Sequence, residues 1–122
     1  MIFNVSKTIL KGEVDYVDDR TTAKKFGKWL DEFIKSGEAK LVELNKNGVY
    51  LVYARDEIAF WFVSDKDGNI TKIKEIHVAP REYEVCDNLL IVLSDGFSYY
   101  DVVNVYRITE TGLEFLTFLS GE

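Results

Sequence analysis

His77 and Cys86 are the only histidine and the only cysteine of the chain, so imidazole and thiol chemistry each have a single place to occur. As a general base or a pH-sensitive contact, His77 would have to act near the end of a strand, beside the Ala79-Pro80-Arg81 reversal. A hairpin through that reversal pairs His77 with Glu84 and sets Cys86 opposite Glu75. A neighbouring carboxylate raises the pKa of a thiol, the reverse of what a nucleophile needs. Cys86 therefore reads as a small buried residue between Val85 and Asp87, and His77 as an ordinary strand residue on the less buried face. One His and one Cys fall short of the three or four ligands of a zinc site. No serine stands in a Gly-x-Ser-x-Gly elbow. Every glycine is isolated, so no loop cradles a phosphate. Asp65-Lys66-Asp67-Gly68-Asn69 opens like a calcium loop, but Ile76 occupies the twelfth position where a carboxylate must stand, which leaves a hairpin turn. No catalytic residue, no metal ligand and no cofactor is expected.

Binding chemistry has more to draw on. Asp101 follows Phe97-Ser98-Tyr99-Tyr100, and a carboxylate among aromatic rings suits a ligand anchor or an acid of raised pKa, or else the exposed face of a strand. Arg55 and Arg107 each come just after tyrosines, Tyr53 and Tyr106. There a guanidinium can stack on a ring while gripping a carboxylate or phosphate with forked hydrogen bonds, or simply cover the ring with its stem.

The elements that position these residues follow from periodicity. Ile2 to Leu10 alternates as a strand, and Val14 and Tyr16 suggest a short second one. Asp18-Asp19 offers N-cap carboxylates. From about 20 to 36 the apolar residues Phe26, Trp29, Leu30, Phe33 and Ile34 recur at threes and fours, the stripe of an amphipathic helix, and Gly37 is its stop. Gly27 inside it costs about 1 kcal/mol relative to alanine. Strands are predicted near 39–45, 48–54, 57–64, 69–78, 82–86, 88–94, 97–108 and 113–119, parted by Asn-Gly and Asp-Gly turns and the single Pro80. Two parts of this run echo one another: Asn47 to Tyr53 matches Asn88 to Leu93, and Asp67 to Ile70 matches Thr111 to Glu114. Each copy reads as three consecutive antiparallel strands. Two such copies are too few for a propeller.

The chain of 122 residues is expected to be one domain, 1–122, of α+β class: the helix packed on a curved, mainly antiparallel sheet or partial barrel of meander hairpins. Six or seven strands make a sheet roughly 30 Å wide, and a helix covers about 10 to 12 Å. Ile58 to Val63 is apolar on both strand faces. The sheet must therefore close, split into two layers or pair with a second copy, and a homodimer is expected. A lone cysteine fits a reducing, cytoplasmic setting, and no apolar run is long enough for a membrane helix.

Net charge is −6 and sits almost wholly in residues 81–122, where two basic residues face eight acidic ones. Direct nucleic-acid binding is not expected of such a segment. The sequence favours a non-enzymatic interaction module of inhibitor, immunity or adaptor kind. It would present Tyr83, Asp87, Asp95, Tyr99, Tyr100 and Asp101 to a basic protein partner, a nucleic-acid enzyme being one such. The alternative is a small-ligand or nucleotide-binding roll whose pocket, between helix and sheet, is lined by Tyr53, Arg55, Trp61 and Arg107. A roll-type enzyme using Asp101 or His77 is third.

Overall fold

A computed structural model describes residues 4–5, 23–95 and 101–121. The elements run β1 (Asn4–Val5), α1 (Ala23–Lys35), β2 (Lys40–Asn45), β3 (Val49–Ala54), β4 (Ile58–Ser64), β5 (Asn69–Val78), β6 (Pro80–Cys86), β7 (Leu89–Asp95), β8 (Asp101–Thr109) and β9 (Gly112–Gly121). The strands do not form one curved sheet or partial barrel. They split into a five-stranded sheet ordered β1-β5-β4-β3-β2, in which only the short β1 runs parallel to its neighbour, and a four-stranded sheet ordered β6-β7-β8-β9. The expected N-terminal strand survives only as Asn4–Val5 among the described residues; Val14, Tyr16 and the Asp18-Asp19 cap lie outside them.

The internal echo has a direct structural meaning. Strands β2 to β5 form one up-and-down meander and β6 to β9 another, four strands each. The echoed segments are the second and the fourth strand of each copy. The helix ends as its sequence dictates. The Ser36 hydroxyl and Gly37 amide cap the last carbonyls, those of Phe33 and Ile34, and Gly37 takes φ 82°, where a side chain would be strained.

Packing makes three layers. Phe26, Leu30 and Phe33 of α1 are buried against Val52, Phe60, Phe62 and Ile73 on one face of the first sheet, while Lys25, Lys28, Glu32 and Lys35 are exposed. On the opposite face, Leu51, Tyr53 and Ala59 pack against Leu90, Val92 and Tyr106 of the second sheet. The first sheet is thus the middle layer, which is why β3 and β4 are apolar on both faces. The excess width that pointed to a second copy is met inside the chain by its second meander.

Side-chain hydrogen bonds among the described residues tie the sheets together. The Tyr53 hydroxyl, from the first sheet, donates to the Arg81 carbonyl in the second. The Tyr106 hydroxyl, from the second, donates to the Ile76 carbonyl in the first at 3.4 Å. Asn45 Nδ2 donates to the Thr109 carbonyl at 2.5 Å. Gly112, at φ 138°, lies so close under the Trp61 ring that a β-carbon would clash with it, which seats the start of β9 on β4.

The chain crosses from one sheet to the other through a single residue, Ala79, held at φ 56° between β5 and β6. Strands β5 and β6 therefore belong to different sheets and do not pair. The expected hairpin opposing Cys86 to Glu75 does not exist; Cys86 pairs with Leu89 and is exposed, not buried. The Asp65 turn is the hairpin predicted: its carboxylate accepts the amides of Asp67 and Asn69, both at 2.9 Å.

Candidate functional site

Each residue singled out from the sequence has a definite place, except Tyr99 and Tyr100, which lie outside the described residues. Tyr83 points into the sandwich, half-buried, its ring 4.9 Å from that of Tyr53. Asp87 is exposed at the β6–β7 turn with φ 52°. Asp95 pairs through its backbone with Asp101 at the other end of β7, about 20 Å from Asp87 at 3.4 Å per residue. Asp101 is exposed and faces Arg81, Nη1 to Oδ1 3.3 Å. Asp95 and Asp101 are brought together; Tyr83 and Asp87 are not.

Nor do Tyr53, Arg55, Trp61 and Arg107 converge. Tyr53 and Trp61 are buried between the two sheets, not between helix and sheet. Arg55 is exposed in the β3–β4 turn beside Asp56, and Arg107 is exposed on the outer face of the second sheet, 3.7 Å from Glu114. The space between α1 and the sheet is occupied by the Phe26, Leu30, Phe33, Phe60 and Phe62 side chains. His77 sits in β5 opposite Ala59.

What the structure assembles instead is the outer face of the second sheet. Leu90, Val92, Asn104 and Tyr106 are buried on its inner side, so by strand alternation Leu89, Ile91, Leu93, Val103 and Val105 point outward. All five are half-buried. Cross-strand pairing sets Ile91 beside Val105 and Leu93 beside Val103, with Leu119 of β9 next to Val103. Around this apolar centre stand exposed carboxylates: Glu82 and Glu84 on β6, Asp101 on β8 and Glu114 on β9. Arg81 and Arg107 are their local counter-charges. Both pairs are solvent-exposed, so each contributes at most about 1 kcal/mol to stability.

The edge of this sheet is its second distinctive feature. Phe115 and Phe118 on β9 are 52% and 59% exposed, and Leu119 61%. Phe115 makes an edge-to-face contact with Tyr106 at 5.5 Å, yet half of its ring stays in water. A bulge between Val105 and Tyr106 leaves Leu116 as the extra residue of β9. The sequence showed Leu113, Phe115, Leu116, Phe118 and Leu119 as a strand, but strand order, which makes β9 an edge, is set by tertiary packing.

On the inner side, Ser94 Oγ and Asn104 Nδ2 are buried without a hydrogen-bond partner, an uncommon arrangement for polar atoms in a core. No three His, Cys, Asp or Glu side chains among the described residues gather as metal ligands. No helix among them is long and apolar enough to cross a membrane. Comparison with known proteins returns no matching family model, no matching curated protein and no matching solved structure.

Proposed function

We propose that the protein is a non-enzymatic interaction module that binds a basic protein through the outer face of its second sheet. The observation carrying this reading is the arrangement of that face, with Ile91, Leu93, Val103 and Val105 at the centre and Glu82, Glu84, Asp101 and Glu114 around it. An apolar centre supplies contact area that loses water on binding, and a charged rim sets orientation and encounter rate. Four of the eight acidic residues of 81–122 stand around this face, together with both of that segment's arginines. The proposed surface includes Asp101, with Tyr83 behind it on the inner side of the sheet and Asp87 apart from it.

The test is affinity capture from the native host at about 0.05 and 0.3 M salt, using wild type, a rim variant (E82Q/E84Q/D101N) and a centre variant (I91D/V105D). A specific partner should be lost with the centre variant. With the rim variant it should bind more slowly and with a flatter salt dependence. A partner captured equally by all three proteins would place the working surface elsewhere.

A further inference from the structure

We infer that two copies of this chain associate through their β9 strands, edge to edge and antiparallel, to make one continuous eight-stranded sheet. Unprotected edge strands are unusual because a row of free amides and carbonyls invites pairing, and proteins ordinarily blunt them with lysine, proline or inward charges. Strand β9 has no lysine, no proline and no inward charge; the one such device it carries is the bulge at Leu116, and residues 117–121 beyond it form a regular edge. In ten residues it carries one charge, Glu114, and that carboxylate is already engaged with Arg107 on β8. Self-approach of a molecule of net charge −6 is opposed by repulsion, and β9 is a long strand on which that repulsion is least.

The pattern of the strand matches itself. A two-fold axis normal to the sheet keeps inner faces with inner faces. Phe118 pairs with Asn104, a buried inner residue, and Leu119 pairs with Val103, an outer one. A register centred on Phe118 therefore sets Phe118 beside Phe118 of the second copy on the inner side. Leu119 then lies beside Thr117 of that copy on the outer side. Phe115 and Phe118 lie on the inner side of the sheet yet remain more than half exposed, so the first sheet does not cover this edge of the second.

Area bounds the size of the contact. With about 200 Å² to an aromatic side chain, the exposed halves of Phe115 and Phe118 keep roughly 100 Å² each, and with Leu116 and Leu119 the total is about 350 Å² per copy. A standard interface buries about 800 Å² per partner. Even complete burial of that apolar edge would supply less than half of a standard interface, which fits a weak, reversible dimer.

Sedimentation velocity of the wild type from about 1 to 300 μM, with hydrogen exchange at both ends of that range, tests the inference. Dimer mass should appear with rising concentration, more readily at high salt because like charges are screened. The β9 amides should gain protection in step, a readout that needs no variant. Phe118→Lys should weaken association at least tenfold while leaving the far-ultraviolet circular dichroism unchanged. A monomer throughout the range would overturn the inference, and so would a dimer whose β9 amides exchange at a concentration-independent rate. The acidic-face reading is tested separately, since its rim and centre variants leave β9 intact.

Discussion

Tyr53 and Tyr106 each reach from one sheet to a backbone carbonyl of the other, in opposite directions. Burial raises both phenols above their ordinary value of 10.0, desolvation being the largest cause for Tyr53 and the cause for Tyr106. Because the folded protein disfavours phenolate, the stability this contributes is complete below about pH 10 and is lost as pH rises from there towards the folded-state value. Unfolding by urea at about pH 8 and 10.5 should show a loss in the wild type that is smaller in Tyr53→Phe/Tyr106→Phe. The same double variant should be less stable at neutral pH by about 1 to 3 kcal/mol, because two inter-sheet hydrogen bonds are gone. An equal alkaline loss in both proteins would separate these phenols from the effect. Neither bridge was legible in the sequence. Tyrosines at strand positions are common, and which carbonyl lies over each depends on the stacking of the sheets.

At the scale of elements, α1 was the most legible feature. Its apolar spacing placed Phe26, Leu30 and Phe33 on one side, and those residues are buried. Leu30, 1% exposed, should cost about 2 to 5 kcal/mol when replaced by alanine, measured by urea unfolding, because the cavity would open between helix and middle sheet. A loss under about 1 kcal/mol would mean that the helix docks without depending on that contact. Strand boundaries were also readable, to within a residue or two for 39–45, 48–54 and 57–64, because Gly and Asn turns punctuate them. The join at Ala79 was not. A proline preceded by one alanine looks like any hairpin reversal, and only the packing of two separate sheets makes it a crossing. That misreading carried the Cys86 placement with it, since a pairing partner inferred across a false hairpin is wrong for every residue beyond it.

For the whole molecule, the repeat was visible and its consequence was not. Two similar meanders are compatible with blades side by side or with layers face to face. The choice falls to burial: β3 and β4 are apolar on both sides and so belong in the middle of three layers, with α1 beneath and the second meander above. The candidate surface was half legible for the same reason. Acidic excess in the last third is a matter of counting, and it does fall on the second sheet. Which carboxylates share a face depends on strand alternation and register, which set Glu82, Glu84 and Glu114 on the outer face and Tyr83 on the opposite side of β6. The two proposed associations differ in the sign of their salt response. Heterologous binding to a basic protein should weaken with added salt, and pairing of two acidic copies should strengthen.

If the one-residue crossing at Ala79 acts as a hinge, the two halves of the chain are expected to exchange between copies. Alanine at φ 56° carries roughly 1 to 2 kcal/mol of steric cost, and that cost vanishes if the link straightens and residues 69–86 run on as one strand. The second meander of one molecule would then lie on the middle layer of another, and the reverse, reproducing the inter-sheet packing away from the hinge in an interlocked pair. Refolding at about 1 mM should yield some dimer that persists for hours after dilution, whereas edge-paired β9 dimers separate promptly. Ala79→Gly removes the steric cost and should reduce the persistent fraction. If every dimer formed on refolding fell apart within minutes of dilution, the crossing would be a rigid corner rather than a hinge.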